Sequence, residues 1–167
     1  GAAINEVSQN STASASYLVD FENRMAGVGK QADMSIPKIM GYASVLDQNA
    51  QQVEMSATAL QGIIMKMYQD PGKLARIAGI NVKEFARLVR EDANEALLQL
   101  LDTLGKAGGM QALAPMFDEM KLDGSRAASV LSVLAGNIES VRREQKLAQE
   151  AFDEGTSAIT EFNVQNN

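Results

Sequence analysis

The carboxylates in the middle of the chain are the residues whose type and spacing come closest to a catalytic arrangement. Two-carboxylate hydrolysis needs a pair of Asp or Glu side chains that flank the bond being cleaved. The candidate pairs are Asp92 with Glu95, and Glu95 with Asp102. The first pair also has the pattern of a helix cap, in which a side-chain oxygen accepts a hydrogen bond from a backbone N–H in the first turn. A cell-wall hydrolase segment is therefore only a minor alternative for this sequence.

The composition removes most other kinds of catalytic site. The chain has no His and no Cys, which excludes thiol nucleophiles, disulfides, the usual zinc sites and imidazole acid–base catalysis. The glycine cluster from Gly105 to Gly109 lacks the spacing of a phosphate-binding loop and the Ser or Thr that follows it. We therefore predict a protein that is not an enzyme, with no catalytic residue, metal ligand, cofactor or small-molecule substrate.

Residues 73–90 have the pattern of a helix-turn-helix, with Ala75 four residues before a turn glycine, Gly79. The apolar positions that such packing requires are Ile80, Phe85 and Leu88. The basic residues of the stretch, which could contact phosphates, are Lys73, Arg76, Lys83, Arg87 and Arg90. Glu84 and the net charge of -6 oppose DNA binding. A DNA-binding regulator is thus an alternative function, and specific DNA binding is disfavoured.

Helices must position all of these residues. The 167 residues fit one domain with a real core, and nine Met, 5% aromatics and only three Pro favour helix over sheet. We predict an all-α fold in which a compact multi-helix cluster is flanked by two long heptad-patterned helices. Its parts are an N-terminal long helix and linker (1–34), a compact helical core domain (35–136) and a C-terminal long helix (137–167).

Several helix boundaries can be predicted from single residues. Asn81 and Asp92 each precede a Glu by three residues, which predicts an N-terminal cap in both places. Ser125 is predicted to cap the last helix of the core domain. The N-terminal helix is expected to run over residues 4–28 and to end at Gly27 and Gly29.

Each of the two end helices carries a seam, meaning a stripe of positions spaced three and four apart. The N-terminal seam is Ile4, Val7, Ser11, Ser14, Leu18, Phe21, Met25 and Val28, and the C-terminal seam is Ile138, Val141, Gln145, Ala148, Phe152, Gly155, Ile159 and Phe162. Small and polar residues interrupt both seams, so they suit association with a partner helix. The simpler interpretation is that both helices pack on the core or on each other. The candidate helix–helix interface residues are Leu18, Phe21, Met25, Val141, Phe152 and Ile159.

The stretch from Gly41 to Gly136 resembles the core of phage tail tape-measure proteins, through the order of its motifs as much as their residues. Those motifs are Ala43-Ser44-Val45-Leu46, Ser56-Ala57-Thr58-Ala59-Leu60-Gln61-Gly62-Ile63-Ile64-Met65-Lys66-Met67, Ala78-Gly79-Ile80-Asn81-Val82-Lys83-Glu84-Phe85, Asn94-Glu95-Ala96-Leu97-Leu98-Gln99-Leu100-Leu101 and Gly124-Ser125-Arg126-Ala127-Ala128-Ser129. The family commonly has Ala-Gly-Thr where this chain has Ser56-Ala57-Thr58, and an aromatic-Gly pair where Leu122-Asp123-Gly124 stands.

The resemblance implies a structural protein of a phage or prophage that takes part in tail assembly and in setting tail length. Its expected partners are other copies of the same protein and tail or baseplate proteins. Its expected location is the virion tail, and the host cytoplasm during assembly. No apolar run approaches the roughly 20 residues of a membrane span, and the first residue, Gly1, suggests a fragment of a longer protein.

Overall fold

The structure is a computed structural model that describes the backbone of residues 14–166 and the side chains of residues 14–155. Over these residues all the regular secondary structure is helical, which confirms the predicted all-α class and compact multi-helix arrangement. The α-helices are α1 (Ala15–Gln31), α2 (Ile36–Gln48), α3 (Val53–Gln69), α4 (Pro71–Ala78), α5 (Val82–Glu91), α6 (Ala93–Lys106), α7 (Ala114–Glu119), α8 (Gly124–Ala135) and α9 (Ile138–Asn166). A short 3₁₀ helix, Met110–Leu113, precedes α7.

Short polar side chains begin five of these helices by accepting a hydrogen bond from a backbone N–H in the first turn. The capping residues are Ser14, Asp70, Asn81, Asp92 and Asp123. The predicted caps at Asn81 and Asp92 are confirmed. The predicted cap at Ser125 is wrong, because Asp123 accepts from the Arg126 N–H at 3.1 Å and α8 already begins at Gly124.

The first described helix continues past the two glycines that were expected to end it. α1 ends at Gln31, and the predicted residues 4–13 lie outside the described part of the chain. Gly29 is buried, and a Cβ there would lie 2.7 Å from the Ile39 side chain. This glycine therefore lets α2 approach α1 closely, and it does not terminate the helix.

Both end helices contribute to the same hydrophobic core as the middle of the chain. α1 supplies Leu18, Phe21 and Met25 and packs on α2 and α3. α9 packs chiefly on α2, with smaller contacts to α6 and α8. Leu18, Phe21 and Met25 of α1 and Val141 and Ala148 of α9 are thus covered from within the chain, as the simpler of the two interpretations expected, whereas Val19 and Phe152 remain exposed.

Candidate functional site

Gly41 marks a point where α2 and α9 approach each other closely. A Cβ on Gly41 would lie 2.8 Å from the backbone nitrogen of Gln145 and 3.0 Å from its Cα. Real Cβ atoms essentially never come within 3.0 Å of another heavy atom, so a side chain at this position would push the two backbones apart. Gly41 therefore determines how deeply α9 sits against the rest of the molecule.

A buried polar network surrounds this crossing. The hydroxyl of Tyr42 donates to Asn94 Oδ1 at 2.6 Å, and Gln145 Nε2 donates to the same oxygen at 2.9 Å. Asn94 Nδ2 donates in return to Gln145 Oε1 at 3.1 Å. Gln145 Nε2 also lies 3.1 Å from the backbone carbonyl of Lys38, which accepts from it. The network joins α2, α6 and α9 through groups whose alternative partner would be water.

Tyr42 is fully buried, and its burial raises the pKa of the phenol above its ordinary value. The charged form would have to exist without solvation, so the hydroxyl stays protonated and donates its hydrogen bond throughout the ordinary pH range. Tyr42 is thus a permanent donor to Asn94. The network therefore has a fixed direction, in which the Asn94 oxygen accepts from two side chains.

A bidentate ion pair lies beside the network, where α9 passes α6. Arg142 Nη1 and Nη2 donate to the two carboxylate oxygens of Glu95 at 2.9 and 3.0 Å. The hydrogen bond from Arg142 lowers the pKa of the Glu95 carboxyl, and Glu95 raises the pKa of the guanidinium in return. Both side chains keep substantial exposure to solvent, so the pair contributes little energy and chiefly fixes the register of α9 against α6.

These contacts also describe the surroundings of the three candidate catalytic carboxylates. Asp92 caps α6 by accepting from the Glu95 N–H at 3.0 Å, and Asp102 pairs with Lys106 at 3.0 Å. Glu95 is held as a carboxylate by Arg142. The shift of its pKa is opposite to the one that a general acid requires.

The six predicted interface residues occupy three kinds of position. Leu18, Phe21, Met25 and Val141 have no exposed surface and lie in the chain's own core. Phe152 is 37% exposed. Ile159 lies outside the residues whose side chains the structure describes. The first four are therefore already engaged in helix–helix packing within this chain.

The buried stripe of α9 is rotated from the predicted seam. Val141 and Ala148 are buried as the seam requires, but Glu144 and Ala151 are the buried residues between and after them, each 6% exposed. Gln145 is only half-buried, and Phe152 is on the exposed side. The face of α9 that packs on the core therefore carries Val141, Glu144, Ala148 and Ala151.

Sequence reasoning missed the residues that hold this junction together. In the sequence Gly41 only begins the stretch that resembles tape-measure proteins, and Asn94 only begins one of its motifs. A glycine in the middle of an otherwise apolar helix was the available signal, since such a glycine often marks a close packing contact. No local signal paired Tyr42 with Asn94, which is 52 residues away in the chain.

Residues 73–90, where the sequence predicts a helix-turn-helix, lie in two consecutive helices, α4 and α5, joined by Gly79, Ile80 and Asn81. Gly79 has a φ of 73°, and the Ile80 N–H donates back to the carbonyl of Ala75 at 2.9 Å, as at a glycine-terminated helix end. Ala75 has no exposed surface and Phe85 is 2% exposed, so both lie inside the core as the pattern requires. The arrangement leaves the opposite side of α5 in solvent.

Comparison with known proteins identifies no relative of the chain. No protein-family model, no curated protein and no solved structure matches it. Over the described residues, no helix combines the length and apolarity that crossing a membrane demands, and no group of three or more acidic residues is arranged to hold a metal ion.

Proposed function

We propose that this chain is a structural domain of a phage or prophage tail tape-measure protein. It would act by helix packing and by contacts with other copies and with tail or baseplate proteins, and it would contribute to tail assembly and length determination. Its place would be the virion tail, and the host cytoplasm while tails are built. The order of the motifs between Gly41 and Gly136 supports this proposal.

One structural observation carries the proposal furthest, namely the extent of α9. The helix begins against the core at Ile138, and Ala151 is its last buried residue among those with described side chains. It continues as one helix to Asn166, which adds a further length of about 22 Å at the usual rise per residue. A helix fixed to a compact domain at one end and continuing at the other is what joining that domain to an extended helical chain requires.

The junction at Gly41 suits this role because it sets both the position and the register of α9. Gly41 allows close contact, the Tyr42–Asn94–Gln145 network requires one particular pairing, and the Arg142–Glu95 pair adds a second point of attachment. We propose that the heptad pattern of the two end helices continues beyond this domain into the extended helical chain of the tape-measure protein. In that case the core domain fixes the point at which each of those extended helices starts.

The first experiment tests the oligomer contacts directly. Light scattering on the 17.9 kDa chain, across a concentration series, is expected to show a mass that rises above the monomer. A double substitution, Phe152→Glu with Ile159→Glu, is expected to lower that mass, because it adds two charges along the predicted C-terminal seam. Ser157→Glu is the matched control, since it adds a charge to the same helix away from the seam. A strict monomer at every concentration would contradict the proposed contacts between copies.

The second experiment tests length determination. In the phage or prophage that encodes the chain, deletion of helical residues outside this domain should shorten the tail by about 1.5 Å per residue removed. Deletions within the core domain should instead abolish assembly, because they remove the attachment of α9. Electron microscopy measures the tail lengths. Unchanged tail lengths after deletion of helical residues outside this domain would exclude a tape-measure role.

A further inference from the structure

A stripe of cations lies along the solvent side of α5, the second helix of the helix-turn-helix. Lys83, Arg87 and Arg90 are spaced four and three residues apart, which places them on one face, and all three are exposed. Phe85 and Val89, on the opposite face, are each only 2% exposed. The core therefore holds one side of α5 and presents the basic side outward.

None of these three cations is neutralised within the described structure. The ion pairs there join Arg24 to Asp20, Lys73 to Glu119, Lys106 to Asp102 and Arg142 to Glu95. Arg76 of α4 is likewise exposed and outside those pairs. We call Arg76, Lys83, Arg87 and Arg90 the basic stripe.

The stripe is an island of positive charge on an acidic protein. Residues 71–91, which form α4 and α5, contain five cations and two carboxylates, Glu84 and Glu91, and therefore carry a net charge of +3. Because the whole chain carries -6, the remaining residues together carry -9. Such segregation orients the molecule toward an anionic surface and keeps its other faces away from it.

We propose that the α4–α5 unit binds duplex DNA through the phosphate backbone, independently of base sequence. The geometry that supports duplex DNA is the helix-turn-helix itself, which presents its second helix as a rod of a width that the major groove admits. At ten residues, α5 is about 15 Å long, enough to follow the groove past several phosphates.

The residues on the outer face decide between phosphate contacts and base reading. The exposed positions at the start of α5 are Val82, Lys83 and Glu84, and there is no Asn or Gln within this helix to pair with adenine. Arg87 and Arg90, whose guanidinium groups could also pair with guanine, lie in the second half of α5, whereas a helix-turn-helix contacts base edges with the N-terminal residues of its second helix. Arginines placed there contact phosphates, which carry no sequence information. The proposed binding is thus a sequence-independent activity, and it stands apart from the tape-measure proposal.

The experiment is a fluorescence anisotropy titration of the full chain against two labelled duplexes of unrelated sequence, at several salt concentrations. Equal binding to both is expected, with a slope of log K against log salt of about -3 to -4 for three to four phosphate contacts. Absence of binding at the lowest salt, or a preference of tenfold or more for one duplex, would overturn the proposal.

Two double variants test whether DNA binding depends on the basic stripe or only on the total charge of the chain. Arg87→Gln with Arg90→Gln should weaken binding at least tenfold and reduce the salt slope by about 2. Arg143→Gln with Lys146→Gln, which removes the same charge from exposed positions of α9, should change affinity less than twofold. An equal loss in both would overturn the assignment to α5.

A variant that binds DNA more tightly than the original chain provides a further test, because misfolding would weaken binding and could not strengthen it. Glu84→Gln removes a carboxylate beside the stripe and should tighten binding about threefold, whereas Glu150→Gln on α9 should not.

A competition experiment then distinguishes DNA from an acidic protein as the partner of the basic stripe. Polyglutamate at equal charge should displace the duplex poorly, and displacement as effective as by unlabelled DNA would overturn the assignment to nucleic acid.

Discussion

Asn94 accepts hydrogen bonds from the buried Tyr42 and from the half-buried Gln145, so its loss would leave the Tyr42 hydroxyl without an acceptor in the core. The oxygen of its amide receives both the Tyr42 hydroxyl and the Gln145 amide. A buried donor without an acceptor loses its hydration and gains nothing in return. The stability of the junction therefore depends on the acceptor more than on either donor.

Two substitutions test this asymmetry. Asn94→Ala leaves the Tyr42 hydroxyl without its acceptor and should lower the free energy of unfolding by about 1–3 kcal/mol. Tyr42→Phe leaves Asn94 still bonded to Gln145 and should lower it by about 1 kcal/mol or less. Urea unfolding followed by circular dichroism measures both. The network interpretation is wrong if the phenylalanine variant is the less stable of the two.

The Glu95–Arg142 pair predicts a pH dependence of stability. Because the folded-state pKa of Glu95 is lowered, its contribution is complete above the unfolded value of about 4.3 and disappears as pH falls through the folded value. The pair is partly exposed, so the contribution at neutral pH is about 0.2–1 kcal/mol.

Glu95→Gln should therefore destabilise the protein by that amount at pH 7 and by nothing in strong acid, where the native carboxyl is also neutral. Glu150→Gln, at an exposed position of α9, is the control and should show no such convergence. Unfolding curves between pH 7 and pH 2 provide the comparison. A Glu95→Gln deficit that persists unchanged at the acid end would show that the ion pair is not its cause.

At the scale of helices, α9 is held by a contact that depends on the absence of a side chain in α2. A helical glycine normally weakens its helix by about 0.5–1 kcal/mol relative to alanine. Gly41 has no room for a Cβ, whereas Gly27 in α1 has no atom within 4 Å of the position that a Cβ would take. The two glycines thus have the same intrinsic effect and opposite packing environments.

Alanine at these two positions should change stability in opposite directions. Gly41→Ala should destabilise the protein by about 1–3 kcal/mol, because overpacking separates α2 from α9. Gly27→Ala should stabilise it by about 0.5–1 kcal/mol through helix propensity alone. Thermal unfolding of the pair measures the difference. Equal shifts in one direction would contradict the close crossing.

At the scale of the whole molecule, the described end helices share one core with the middle of the chain. Val141 and Ala148 of α9 lie in the same cluster as Leu97 and Leu100 of α6. A segment that belongs to the common core opens only when the core opens. The described apolar part of α9 should therefore behave as an integral part of the domain.

Native-state hydrogen exchange tests this expectation. The amides of α9 near Val141 and Ala148 should exchange with the same opening free energy as the amides of α6 near Leu97. In the Gly41→Ala variant the α9 amides alone should open at a lower free energy. Exchange of the α9 amides well before those of α6 in the original protein would show that the helix is only loosely attached.

Features that depend on neighbouring residues can be predicted from the sequence. The all-helical class follows from composition and from the spacing of apolar residues, and the caps at Asn81 and Asp92 are bonds to a backbone N–H three residues on. The packing of Ala75 and Phe85 around the Gly79 turn is equally short in range. Such interactions involve few alternatives, so a wrong choice is a small displacement, as where Asp123 caps α8 in place of Ser125.

Features that depend on residues far apart in the chain are visible only in the folded protein. Glu95 meets Arg142 across 47 residues, and Asn94 meets Tyr42 across 52. The spacing of α9 allows several adjacent faces to turn inward, and in the folded protein the face with Glu144 and Ala151 is buried. The close contact at Gly41 depends on steric exclusion between two backbones, which no periodicity within one helix could reveal.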